Sequence, residues 1–292
     1  MWEVLHRLHH ELDDRHWWFA ARRRIVLQVL DAALRRAGPA GKPRILDIGC
    51  GGGGTLRELA LRGEAFGLDP EPSAVEAAMR RARCEVRLGR LPDEIPYELG
   101  SFDAVTLLDV LEHIEDDGRA LGAIERLLRP GGLLLCTVPA YRFLWSQHDD
   151  VNEHRRRYTR PELRIRLEAA GLRVRKLSYC NTFLFPPIAA ARLLWRRGGR
   201  PPGVAGGAAV GASAALRSSA EPAANLAPVA SPVGSAADRA DRAARPDLGD
   251  VPGPLNAVLR AIFGAERHWL RVADFPFGVS VLALAQKPGG KA

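Results

Sequence analysis

Nine residues, Leu46-Asp47-Ile48-Gly49-Cys50-Gly51-Gly52-Gly53-Gly54, constrain this chain more than any other stretch. They close the apolar run 44–48 and open the helical stretch 55–61. Glycines at a strand-to-helix turn allow positive φ and close approach of the backbone to a ligand, because no Cβ stands in the way. The segment predicts a strand–turn–helix unit whose turn holds a nucleoside. Read as G-x-G-x-x-G, Gly49, Gly51 and Gly54 also fit a dinucleotide fingerprint, so the loop by itself leaves the nucleoside open.

Further apolar runs at 65–68, 84–88, 104–108 and 133–138 alternate with helical patterns, which predicts parallel βαβ units. Ser73 with Glu76, and Thr159 with Glu162, have capping-box spacing. Gly171 ends the second of these helices and 172–179 reads as a sixth strand. The chain divides into an N-terminal helical cap at 1–38, with a second helix at 17–37, and a nucleotide-binding core at 39–180. An insertion follows at 181–278, and a final core strand at 279–287. Within the insertion, 198–253 is rich in Ala, Gly, Pro, Ser and Arg and lacks aromatic residues, so a disordered linker is expected there. A helix is expected at 254–265.

The second predicted strand ends in Gly67-Leu68-Asp69. This sets a carboxylate about 20 residues past the loop, where it can accept both ribose hydroxyl protons. Asp47 separates the alternatives better. A pyrophosphate over this turn would be repelled by a carboxylate just before it, whereas a ligand carrying an amino group and a sulfonium would be attracted.

At these residues the chain resembles the class I S-adenosylmethionine-dependent methyltransferases. The resemblance covers roughly 40–180 and the last strand. It rests on the loop and Asp69, then Ser101-Phe102-Asp103-Ala104-Val105, Asp109-Val110-Leu111-Glu112-His113, Leu128-Arg129-Pro130-Gly131-Gly132 and Val138-Pro139, in the family's order. It implies a Rossmann-like α/β fold: a seven-stranded, mostly parallel sheet with helices on both faces and an antiparallel last strand. It also implies S-adenosylmethionine as cofactor. Asp47, Gly49, Gly51 and Gly53 are then expected around the methionine side, Asp69 at the ribose and Asp109 near the methionine amino group, with Cys50 and Val110 as further cofactor contacts. The family's acidic residue after the third strand is replaced by Gly89-Arg90-Leu91-Pro92. That leaves the adenine to apolar packing around Leu68, Gly89 and Leu91.

Methyl transfer from a sulfonium needs alignment and exclusion of water more than it needs a metal, and none is expected. A weakly acidic oxygen acceptor gains from a general base, and His113, four residues after Asp109, is the candidate. His148, His154, Arg157 and Tyr158 follow the fifth strand and are candidates for the acceptor side. The Asn/Asp-Pro-Pro-Tyr/Phe motif of nitrogen-methylating relatives is absent, so by resemblance an oxygen or carbon of a small-molecule, saccharide or lipid acceptor is favoured. A nicotinamide-dependent oxidoreductase and a non-catalytic cofactor-binding protein are the alternatives.

The excess of 42 Lys and Arg over 34 Asp and Glu gives +8, read as solvated surface charge, and no nucleic-acid partner is expected. Cys50, Cys84, Cys136 and Cys180 form no C-x-x-C pair, which suggests neither zinc nor disulfides. No secretory h-region is recognised at the N-terminus, and a cytoplasmic protein is expected. Trp17, Trp18 and Phe19 ahead of Arg22, Arg23 and Arg24, and the apolar stretch 183–195 ahead of Arg196 and Arg197, also suit peripheral contact with a membrane.

Overall fold

The computed structural model describes residues 14–39, 41–197 and 251–289. A first helix expected before residue 14, and 198–250 of the expected linker, lie outside the described residues. The chain runs α1 (Trp17–Ala37), β1 (Arg44–Ile48), α2 (Gly54–Ala60), β2 (Glu64–Asp69), α3 (Pro72–Ala82) and β3 (Glu85–Leu88). It continues with β4 (Phe102–Leu108), α4 (Asp117–Leu127), β5 (Leu128–Pro139), α5 (Gln147–Val151), α6 (Arg160–Ala169) and β6 (Arg173–Cys180). The last elements are α7 (Phe185–Arg197), α8 (Gly253–Trp269) and β7 (Ser280–Gln286).

The seven strands form one sheet in the order β3-β2-β1-β4-β5-β7-β6, with β7 antiparallel to both of its neighbours and the other pairs parallel. Strand order reverses between β1 and β4. Right-handed crossovers therefore place the helices that follow β1 and β4 on opposite faces, and a crevice opens beyond the carboxyl ends of these two strands. The central strands are mostly apolar: Ile45, Leu46, Ala104, Val105, Leu107, Leu134 and Leu135 are fully buried, as a sheet covered on both faces requires.

Two helix starts differ in outcome. Thr159 and Glu162 form the expected capping box, with Glu162 accepting from the Thr159 N–H at 2.7 Å. The one expected at Ser73 does not form. The helix begins earlier, at Pro72, and the Ser73 hydroxyl turns to the Glu71 carboxylate at 3.3 Å. Proline's fixed φ suits the first helical turn, so it takes the start from the serine behind it.

The insertion returns to the core through α8, which runs four residues past its expected end. α8 lies against α1: Asn256 Oδ1 accepts the Trp17 N–H at 2.8 Å, Gln28 donates to the Arg267 carbonyl at 2.6 Å, and Trp17 meets Phe263 edge-on. Its buried Glu266 accepts backbone N–H groups from Asn181, Thr182 and Phe183 at 2.8, 2.6 and 2.9 Å. One carboxylate thus fastens the far end of the insertion to the chain leaving β6. Among the described residues no helix is long and apolar enough to cross a membrane.

Candidate active site

The glycine-rich turn leaves β1 at the crevice. Gly49 has φ +69°, and a Cβ there would lie 2.4 Å from Val110 Cγ2, so the turn closes on the β4 loop only because that position has no side chain. The Gly51 N–H donates to Asp69 Oδ2 at 2.8 Å, and the Glu71 N–H donates to Asp69 Oδ1 at 3.1 Å. Asp69 therefore sets the loop's shape. A carboxylate oxygen can accept more than one hydrogen bond, so this role is compatible with holding a ligand hydroxyl. Asp47 is buried, and its Oδ1 accepts from the Thr106 hydroxyl at 2.6 Å.

A cavity of ≈580 Å³ fills the crevice. Asp47, Gly49, Cys50, Gly51, Asp69, Asp109 and Val110 all line it, so the structure brings most of the expected cofactor residues to one wall. Two do not come to it. A Cβ on Gly53 would lie 2.8 Å from the Ala78 Cα, so this glycine serves the packing of α2 on α3. Leu91 is buried but lies outside the cavity wall, as do Leu68 and Gly89. A second hollow, of ≈790 Å³, lies elsewhere, between Arg35, Arg36, Arg175 and Lys176, and contains none of these carboxylates or loop glycines.

The roof of the crevice is unexpected. His16, Trp17, Trp18, Phe19 and Arg22 from the start of α1 line the same cavity, so part of the aromatic and basic cluster read as suiting a membrane lines the site. The Arg22 guanidinium stacks on Trp18, with Cζ 4.5 Å from the ring centroid, and pairs with Asp109 Oδ2. Asp109 Oδ2 also accepts from the Thr137 hydroxyl at 3.1 Å, and its backbone sits at φ +56°. The Arg22 Nε is buried without a partner among the described residues. A ligand acceptor is what this donor lacks. Burial pushes the His16 imidazole down to about 4, so it caps α1 as the neutral ring. Sequence reading missed Arg22 because its partner lies 87 residues away.

His113, His148, His154 and Arg157 line the same cavity together with Glu112. The rings of His113 and His154 meet edge-on at 4.8 Å. His154 Nδ1 lies 2.8 Å from Asp149 Oδ1, and Arg157 clamps the same carboxylate with Nε at 2.7 Å and Nη2 at 2.9 Å. Burial alone would raise the Asp149 carboxyl, but hydrogen bonds from His154 and Arg157 outweigh it and hold Asp149 well below the usual range. Arg157 thus spends its guanidinium on Asp149 and on the Ala140 carbonyl at 2.9 Å. Tyr158, expected at the acceptor, is elsewhere. It is buried, its hydroxyl donates to Asp117 Oδ2 at 3.0 Å, and it does not line the cavity. Arg157 and Tyr158 are consecutive, so their side chains leave the extended backbone in opposite directions.

Glu112 is wholly buried, and both of its carboxylate oxygens lack a hydrogen bond among the described residues. Burial first, and then the charge of Asp109, push its carboxyl well above the usual range. One atom each from Glu112, His113 and His154 lie within 4.8 Å of one another. α7 closes the side of the cavity with Ile188, Ala191 and Arg192, so an ordered part of the insertion does cover it.

The wall set of carboxylates and glycines fits the group the sequence implies. Three acidic side chains suit a cationic amino and sulfonium ligand, the roof offers Arg22 to a carboxylate, and the volume is in the range of nucleoside sites.

Comparison with known proteins agrees with this geometry. A methyltransferase-domain family model matches residues 17–177, more than half of the chain, and so takes in α1 as well as the core. An uncharacterized 37.1 kDa protein in transposon TN4556 of Streptomyces fradiae is 32% identical over 182 residues, 59% of this chain and 50% of that protein. The ubiquinone biosynthesis O-methyltransferase of Xanthomonas oryzae pv. oryzae is 33% identical over 136 residues, 42% of this chain and 55% of that protein. The chain thus aligns with about half the length of these curated relatives. Among solved structures, a putative sarcosine dimethylglycine methyltransferase from Galdieria sulphuraria superposes with TM-score 0.52 at 15% identity, covering 89% of this chain and 84% of that one. The cyclase SpnF does so with TM-score 0.51 at 20% identity, covering 90% and 80%. These two likenesses show the fold alone, and a fold hosts more than one chemistry. The family match, spanning the roof, the loop and every strand to β6, decides the assignment: the chain belongs to the class I, S-adenosylmethionine-dependent methyltransferases.

Proposed function

We propose that this chain transfers a methyl group from S-adenosylmethionine to an oxygen or carbon atom of a small hydroxylated, saccharide or lipid acceptor. The observation that carries this reading is one cavity lined by two chemically different sets of side chains. Asp47, Asp69 and Asp109 form one set and the imidazoles of His113 and His154 the other. A pyrophosphate is disfavoured against these carboxylates, since two like charges about 4 Å apart at an effective dielectric of about 20 repel by about 4 kcal/mol.

S-adenosylmethionine supplies a methyl group on a sulfonium, whose leaving group needs no protonation. The chain's residues have three tasks. Asp69 and the Gly49–Gly51 backbone would hold the nucleoside, while Asp109 and Arg22 would take the amino and carboxylate groups of the methionine part. Trp18 and Phe19 on the roof and α7 at the side line the cavity and would exclude water once a ligand is bound, which strengthens each of these contacts. His113, just past Asp109 and Val110, is placed to handle the proton that an acceptor hydroxyl must lose.

A lipid acceptor is supported by α7 and α8, which expose Leu193, Leu194, Leu255 and Val258 to solvent. Apolar side chains exposed on two helices, on a chain of charge +8, suit a peripheral contact with an anionic bilayer. The test is incubation of the purified chain and isotopically methyl-labelled donor with a host extract that retains its lipids. A labelled product one methyl heavier than its precursor, absent with Asp69→Ala, is expected. Donor binding with no labelled product from any fraction would leave a cofactor-binding protein without transferase activity.

A further inference from the structure

We propose that Glu112, His113 and His154 form a divalent-cation site in the cavity, and that the ion holds a hydroxylated acceptor through two adjacent oxygens. The second half of this proposal rests on the transferase reading; the first half does not.

Four observations point to the ion. The donor set is two imidazoles and one carboxylate, with one ligand atom from each within 4.8 Å of the others. Ligands about 2.0–2.2 Å from a common ion stand roughly 3–3.5 Å apart, so small side-chain rotations complete the set. Glu112 is wholly buried, and neither of its oxygens has a hydrogen bond among the described residues. A carboxylate is kept in such a place only as the neutral acid or against a cation, and the nearest positive candidate is His154 Nε2 at 4.0 Å.

The third observation is the support behind His154. Its Nδ1 faces Asp149 Oδ1 at 2.8 Å, and Asp149 is held by Arg157 through two nitrogens. A carboxylate that takes the Nδ1–H fixes the tautomer and leaves the Nε2 lone pair directed at Glu112. Metal-binding histidines are oriented by this same arrangement. The fourth is access. All three residues line the ≈580 Å³ cavity beside Asp109 and Val110, so an ion there has a route in and a substrate beside it.

Three protein ligands leave two or three positions open on a five- or six-coordinate ion. Two adjacent oxygens of one acceptor, as in a catechol or vicinal diol, fill them. When a hydroxyl oxygen binds the ion, its O–H proton passes to water and the oxygen becomes the nucleophile. No oxidant or reductant enters. His113 then acts on the acceptor's proton through the ion instead of taking it up. The sequence reading expected no metal because methyl transfer from a sulfonium does not require one; the set joins positions 112, 113 and 154, which only the fold brings together.

The test begins with the full chain stripped of metal by chelator and titrated with Co(II), followed by visible absorption and calorimetry. One equivalent is expected to bind, with d–d bands of a nitrogen and oxygen ligand set that shift on adding catechol. His154→Ala, His113→Ala and Glu112→Gln should each weaken Co(II) at least tenfold, with affinity for S-adenosylhomocysteine kept within about threefold. If the wild type takes up no stoichiometric Co(II), or if all three variants bind it as the wild type does, the site does not exist. Wild-type binding needs no variant, so a variant that fails to fold leaves the test standing. S-adenosylhomocysteine titrated into the same metal-free sample separates the two readings: its binding without Co(II) overturns only the cation site.

Discussion

Gly49 shows how narrowly one residue sets the site. Its φ of +69° and the 2.4 Å clearance to Val110 mean that an alanine must either rotate the turn or push the β4 loop away. Gly49→Ala is expected to lower stability by about 1–3 kcal/mol in urea unfolding and to weaken S-adenosylhomocysteine by at least tenfold. Native stability with native affinity would show that the turn has slack. His16 carries the pH dependence at this scale. Its folded value, about 4, lies below the ordinary 6.5, so the unfolded chain binds the proton more tightly. The stability His16 contributes is present above pH 6.5 and is lost as the pH falls toward 4. Relative to His16→Asn, the wild type should therefore lose stability across that window and stay parallel above it; curves parallel throughout would show a solvated imidazole. Asp47, Gly49, Asp69 and Asp109 were legible in the sequence because each sits at a strand end, where position alone fixes direction. Arg22 and Glu112 were not, since what marks them is a partner, or the lack of one, created by tertiary packing.

At the scale of elements, all seven strands stood out as short apolar runs between turn residues, with ends within a few positions. β5 was the main exception: it begins at Leu128, so the Pro130-Gly131-Gly132 turn expected before the strand lies inside it. The connection between β6 and β7 was legible only as composition. Its attachment depends on Glu266, whose carboxyl burial pushes up to about 7 against the pull of three N–H donors. Glu266→Ala leaves the N–H groups of Asn181, Thr182 and Phe183 without an acceptor. It should cost roughly 2–5 kcal/mol in urea unfolding. Glu266→Gln keeps one acceptor oxygen and should cost less than half as much. Equal losses for the two would mean that the charge, not the acceptor count, holds the turn. α1 likewise read as an amphipathic cover, and its pattern said nothing of where Trp18 and Phe19 point.

Across the whole molecule, the reversal of strand order between β1 and β4 creates the crevice, α1 roofs it, and the insertion closes its side through α7. Each part is remote in sequence from the others, so the cavity exists only in the assembled sheet. The most direct measurement is calorimetric titration of the full chain with S-adenosylhomocysteine and, separately, with NAD. One S-adenosylhomocysteine per chain should bind and NAD should not. Asp69→Ala should weaken the former by roughly 2–4 kcal/mol through loss of charge-assisted hydrogen bonds. Binding of NAD without S-adenosylhomocysteine, or an Asp69→Ala affinity equal to the wild type, would contradict the assignment of this crevice to a sulfonium nucleoside.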